Sequence, residues 1–136
     1  MSVLTNPLAI IVASIALSIL GMLWYGSLFS RPWIRAMGWS AKDIAKAKKQ
    51  SMLPRVALNL FTNLVMMTVL ALLIGVLGIT SGVTGALFGV LVWLGFIATS
   101  SAGSVIWEGY SPVAYAIYGG YMLVGFALTG AILAVW

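Results

Sequence analysis

Residues 31–55 read RPWIRAMGWSAKDIAKAKKQSMLPR, and this stretch holds all seven Lys and Arg residues of the chain. Asp43, one of the two acids, lies inside it, and the other, Glu108, stands alone in an apolar background. Before the stretch, residues 8–29 form an apolar run. Three more follow it, at 55–77, 83–107 and 112–136. Each reaches the roughly 20 residues that a helix needs to cross a hydrocarbon layer of about 30 Å. This pattern predicts a polytopic membrane protein whose basic loop separates the first two of four spans. The expected fold is all-α. It is a single membrane domain over residues 1–136, with four transmembrane helices in an up-down bundle and an interfacial basic loop helix between spans one and two.

Composition agrees with lipid as the main solvent. The chain is 62% hydrophobic and 7% charged, whereas a soluble domain carries about 25% charged residues. The net charge of +5 resides in the loop. The preference of Lys and Arg for the cytoplasmic face accounts for it without nucleic acid. The loop is then cytoplasmic and both termini are outside, with the Gly78–Gly82 turn outside and the Glu108 turn inside. The expected partners are the bilayer, anionic lipid headgroups at the basic loop, and a second copy or another membrane protein. The chain has no Cys and no His. This removes disulfides, thiol nucleophiles and the usual zinc, copper, haem and iron–sulfur ligands, so no metal site and no cofactor are expected. The start, Met1-Ser2-Val3-Leu4-Thr5-Asn6-Pro7, has no basic segment and no small-residue cleavage site, so the first apolar run is expected to stay as a helix.

Inside the loop, Trp33, Ile34 and Met37 share one helical face beside Arg31 and Arg35, a pattern suited to a short helix in the headgroup region. Ser40 with Asp43 three residues on resembles a capping box, so a polar helix from Ala41 to about Gln50 should follow, carrying Lys42, Lys46, Lys48 and Lys49. Pro54 fits the first turn of span two.

Polar side chains gather in the half of each span nearest the loop. Arg55, Asn59 and Asn63 stand on one face of span two. Ser100, Ser104 and Glu108 do so on span three, flanked by Thr99 and Ser101. Span four offers Ser111, Tyr115 and Tyr118; span one offers Trp24, Tyr25, Ser27 and Ser30. Two readings stand. Asn59, Asn63, Ser100, Ser104, Glu108, Tyr115 and Tyr118 line a polar pocket open to the cytoplasm, or the same groups are hydrogen-bond glue between helices. Glu108 is either a proton or cation site, or an interfacial carboxylate paired with Arg31, Arg35 or Arg55. Gly85-xxx-Gly89, Ala98-xxx-Ala102 and Ala116-xxx-Gly120 match the small-residue pattern of close helix contacts. With so few helices, faces such as Gly85–Gly89 are expected to look outward, toward another copy. Trp24, Tyr25, Trp33, Trp39, Trp107 and Tyr110 read as an interfacial belt. Trp93 falls near mid-span, where its indole N–H needs a partner, a packed helix interface or a ligand. Leu20-Gly21 aligns with Leu94-Gly95, together with Ser27, Ser30 and Trp33 against Ser101, Ser104 and Trp107, which would fit a parallel repeat. No catalytic set or phosphate loop emerges, so an enzyme is not expected.

The run Leu20-Gly21-Met22-Leu23-Trp24-Tyr25, then Leu28-Phe29, Pro32-Trp33, Met37-Gly38 and Ile44-Ala45-Lys46-Ala47-Lys48-Lys49, resembles a bacterial membrane family catalogued as domain of unknown function 1761. So do Gly95-Phe96, Trp107-Glu108-Gly109, Gly119-Gly120-Tyr121 and Gly130-Ala131-Ile132-Leu133. The resemblance covers nearly the whole chain and implies a four-span protein of the bacterial cytoplasmic (inner) membrane. It implies no activity, substrate or cofactor. Two function classes follow: a solute- or lipid-handling, transporter-like protein with a cytoplasm-facing pocket, or an accessory or scaffold subunit of a larger membrane complex.

Overall fold

Asn6 starts the first helix, because its Oδ1 accepts the Leu8 N–H at 2.9 Å and Pro7 follows at the first helical position, where no N–H is needed. A computed structural model describes residues 6–136; residues 1–5, which carry most of the N-terminal segment read above, lie outside them. Six helices follow in order: α1 (Pro7–Leu28), α2 (Ser30–Met37), α3 (Ala41–Lys49), α4 (Leu53–Leu77), α5 (Gly82–Glu108) and α6 (Pro112–Val135). Of these, α1, α4, α5 and α6 are long and apolar enough to cross a membrane. No strand occurs among the described residues.

The loop folds as its sequence dictates. Helix α2 ends at Gly38, whose φ of 70° is the left-handed conformation that a side chain would resist. The capping box then starts α3: Ser40 Oγ accepts the Asp43 N–H at 3.2 Å, and Asp43 Oδ2 accepts the Ser40 N–H at 2.9 Å. The Ser40 N–H and the Ser40 hydroxyl, which donates to the same Oδ2 at 2.9 Å, stabilise the ionised carboxylate and hold Asp43 below the usual carboxylate range. A depressed pKa gives a helix contribution that is present above the ordinary carboxylate pKa and is lost as pH falls through the lowered one. Removing the cap by Ser40→Ala is expected to cost α3 about 1 kcal/mol. Amide exchange at Ala41–Ile44 measures it, and unchanged protection in the variant would contradict the cap.

Helix α6 is the centre of the bundle. It packs against α1, α4 and α5, and α1 also packs on α4. At the end away from the loop the interior is closed by Ala9, Ala13 and Leu17 of α1, Leu70, Ala71 and Ile74 of α4, and Phe126 and Leu133 of α6. Outward faces are apolar as well: Leu8, Ile11, Ile15, Ile19 and Met22 form one exposed stripe on α1. Water would penalise such a stripe, whereas hydrocarbon accepts it.

The Gly85-xxx-Gly89 face does not look outward. Both residues are buried, and a Cβ on either would strike backbone of α6, at Gly130 for Gly85 and at Phe126 for Gly89. The small residues are consumed within the chain, because only at a glycine can the two backbones come this close. They are the only buried residues of α5, whose Phe88, Val92, Trp93 and Ile97 pack against the core partly buried. Helices α4 and α5 scarcely touch. Between them lies an apolar groove of about 300 Å³ lined by Val65, Val69, Phe96 and Phe126 among others.

Two spans contain a π turn, Trp24–Leu28 in α1 and Trp93–Ala98 in α5. The offset that aligns Gly21 with Gly95 would place the first turn at residues 98–102, so the two turns are not equivalent positions of that repeat.

Candidate functional site

Near the loop, α1 and α4 part and leave a pocket of about 410 Å³ against α6. Helix α1 contributes Ser18, Gly21, Met22 and Tyr25, α4 contributes Arg55, Val56 and Asn59 with Met52 just before it, and α6 contributes Tyr118 and Tyr121. The volume lies within the range of small-molecule sites, roughly 300–1,000 Å³.

The floor is a hydrogen bond. Asn63, 3% exposed, donates from Nδ2 to Ser18 Oγ at 2.9 Å, and Ser18 in turn donates to Ser14 O at 3.0 Å. Arg55, Asn59 and Asn63 recur every four residues, so they rise along one face of α4. At 1.5 Å per residue the floor lies about 12 Å deeper than Arg55. The back wall is set by Tyr121, whose hydroxyl donates to Leu17 O at 3.2 Å.

Tyr25 links the pocket to the loop. It belongs to the π turn of α1, a distortion that re-aims side chains and recurs at functional sites. Its ring meets Tyr121 edge-on at 5.7 Å on one side and Trp33 of α2 at 4.7 Å on the other. Trp33 continues to Trp39 at 6.4 Å. An aromatic chain thus runs from the pocket wall to the short segment between α2 and α3. Beside it, the Trp24 indole donates to Ile117 O at 2.9 Å and ties the π turn to α6.

A family model described as "Protein of unknown function (DUF1761)" matches residues 8–134. The chain belongs to that family. No curated protein and no solved structure matches it.

In this DUF1761 chain the seven residues expected on one wall separate into three groups. Asn59 and Tyr118 line the pocket. Asn63 lies beneath it, bonded to Ser18. Ser100, Ser104, Glu108 and Tyr115 are not among the residues lining it. Two of these four, Ser100 and Tyr115, bond to carbonyls of the second π turn. Thr99 Oγ1 donates to Gly95 O at 2.7 Å, Ser100 to Phe96 O, Ser101 to Ile97 O, and Tyr115 of α6 to Ala98 O at 2.5 Å. Four hydroxyls thus serve four consecutive carbonyls, but the bonds of Thr99, Ser100 and Ser101 stay within α5, and of the four only that of Tyr115 ties two helices together.

Glu108 forms no pair with Arg31, Arg35 or Arg55, and no ion pair occurs among the described residues. The Arg55 guanidinium donates to Gln50 Oε1 at 2.7 Å instead. Glu108 is exposed at the end of α5, where water and headgroups can solvate a carboxylate, so burial does not force a partner on it. Trp93 packs its ring 3.9 Å from the position a Gly119 Cβ would take, and its buried indole N–H has no partner among the described residues.

Ser18 and Tyr121 are pocket residues that sequence reasoning missed. In the sequence both lie inside apolar runs, Ser18 in residues 8–29 and Tyr121 in residues 112–136. Their signal is joint: Ser18, Gly21 and Tyr25 share a face of α1, and Tyr118 and Tyr121 share a face of α6.

Proposed function

We propose that this chain is a four-span, up-down bundle of the bacterial inner membrane that binds a small amphiphilic molecule in the pocket between α1, α4 and α6. The Arg31–Arg55 loop lies on the cytoplasmic side and both termini lie outside, as the segregation of basic residues requires. Lys42, Lys46, Lys48 and Lys49 of α3 engage anionic headgroups, each contributing about 1 kcal/mol near such a surface. The protein binds and handles its ligand and is not an enzyme.

The observation that carries this reading is the pocket, a cavity of about 410 Å³ that joins polar groups at the loop end to apolar walls. Its floor is closed by Asn63 and Ser18, so ligand enters and leaves from the loop end or from the side in this conformation. A transporter would need a second, oppositely open state. The accessory-subunit reading draws on a different observation, the bond by which Tyr115 of α6 satisfies the Ala98 carbonyl of α5 across the helix interface.

Thermal unfolding of the protein in phosphatidylcholine nanodiscs, scanned against small amphiphiles, separates the two. Binding is expected to raise the midpoint, and Val56→Trp, which fills the pocket from its wall, should abolish the shift without lowering the ligand-free midpoint. A panel without any shift that Val56→Trp removes would favour the accessory subunit.

A further inference from the structure

The pocket is chemically one-sided. Its polar groups are the Arg55 guanidinium, the Asn59 carboxamide, the Ser18 hydroxyl and the phenols of Tyr25, Tyr118 and Tyr121. No carboxylate lines it. Of the two acids, Asp43 is held in the α3 cap and Glu108 ends α5.

Some of these groups are already committed to the fold. Tyr121 donates to Leu17 O, and Ser18 both donates to Ser14 O and accepts from Asn63. The others are available. Arg55 uses a guanidinium N–H on Gln50, out of five such donors. Asn59 enters the described hydrogen bonds through its backbone carbonyl, which accepts from Thr62. Among the described residues, the hydroxyls of Tyr25 and Tyr118 make no hydrogen bond, although both residues line the pocket. Four groups rich in donors therefore face one cavity, one of them a fixed positive charge.

The remaining wall is apolar and faces outward. Met22, Met52 and Val56 are 61%, 56% and 43% exposed, on the sides of α1 and α4 that turn from the core. The cavity thus opens laterally, beside the exposed apolar stripe of α1. Three phenols could also attract a quaternary ammonium through their ring faces, but Arg55 places a like charge in the same small space, and no acid offsets it.

We infer that the ligand is a single-chain amphiphile with an oxyanion head, phosphate or carboxylate, bound with its head at Arg55, Asn59, Tyr25 and Tyr118 and its alkyl chain leaving past Met22 and Val56 into the bilayer. The inference rests on the pocket reading above and adds the chemical class. A guanidinium with a carboxamide and phenolic donors satisfies an oxyanion, whose lone pairs accept in several directions. The four lysines of α3, next to the pocket in sequence, raise the local concentration of anions at the loop end.

The experiment uses the full chain in phosphatidylcholine nanodiscs and compares dodecyl phosphate, laurate, dodecyl maltoside, dodecyltrimethylammonium and inorganic phosphate by the shift in unfolding midpoint. The two anionic amphiphiles are expected to stabilise, and the other three to have no effect at equal concentration. Arg55→Gln should weaken dodecyl phosphate binding about tenfold or more, as loss of a charge-assisted bond predicts. Arg35→Gln, on α2 and outside the pocket, should leave it unchanged. If Arg55→Gln lowers the ligand-free midpoint, Asn59→Leu replaces it and should weaken binding in the same direction. Equal binding of the maltoside or the ammonium compound, abolished by Val56→Trp, would overturn the anionic class and leave the pocket standing. Equal binding of inorganic phosphate would overturn the requirement for a chain. Binding of dodecyl phosphate that survives Val56→Trp but disappears when the α3 lysines become Gln would mean surface adsorption and overturn the site. A panel without any shift would overturn both the class and the pocket.

Discussion

Gly89→Leu is expected to unfasten α5 from α6, at a cost of about 3 kcal/mol or more, the upper end for overpacking. A Cβ at Gly89 would fall on the Phe126 carbonyl, a backbone atom that cannot swing aside as a side-chain end can. One turn earlier, a Cβ at Gly85 would meet Gly130 O and lie 2.5 Å from the Ala134 Cβ. The two helices thus touch backbone to backbone over two turns. In a bilayer no hydrophobic force drives helices together, since lipid tails are as apolar as Leu, and close packing must supply the attraction. The other ties of α5 are weaker: none of its residues beyond the π turn is buried, Phe88, Val92, Trp93 and Ile97 are only partly buried against the core, and Tyr115 adds one hydrogen bond to Ala98 O. Gly95→Leu is the matched control on the same helix, because nothing lies within 4 Å of its Cβ position. Detergent-titrated unfolding of both variants decides the matter. Equal stability of Gly89→Leu and the parent would contradict the backbone contact.

The legible parts of this chain are those set by local chemistry. Ser40 with Asp43, Pro54 and the turns at Gly78–Gly82 and Glu108–Ser111 mark helix ends, and each marks one in the structure. The apolar runs end within a residue or two of the helices. The parts that stayed hidden depend on helix rotation. A soluble helix announces its inner face by polarity, but a helix in lipid is apolar on both sides, so Gly85-xxx-Gly89 signals a close contact without saying with which helix. The polar cluster shows the same limit. Asn59 and Ser100 look equivalent in sequence, both polar and both near the loop end of a span. Asn59 meets a cavity because α1 and α4 diverge beside it, whereas Ser100 serves a carbonyl at a π turn that no residue pattern announces.

Leu17 and Gly125 form an interlock whose loss is the second large effect. Leu17 is fully buried, and its Cδ1 lies 2.5 Å from where a Gly125 Cβ would stand. The missing side chain on α6 is therefore the socket that receives Leu17 of α1. Leu17→Ala in a soluble core costs about 2–5 kcal/mol, part of it transfer from water and part the cavity left behind. Here the unfolded side chain would rest in lipid, so the transfer part largely vanishes and the lost dispersion contacts remain, giving roughly 2 kcal/mol. Gly125→Val alone should cost a further 1–3 kcal/mol or so by crowding Leu17. Together the two changes should cost less than their sum by about 1 kcal/mol or more, because the new Val enters the space that Leu17 vacates. Strictly additive costs in a double-mutant cycle would mean that the two residues do not share that space. The same contact governs the pocket, since Leu17 O is the acceptor that holds Tyr121 against the back wall. If α1 shifts when Leu17 is truncated, Tyr121 loses its anchor and ligand affinity should fall in parallel with stability. Arg55→Gln, by contrast, should lower affinity alone.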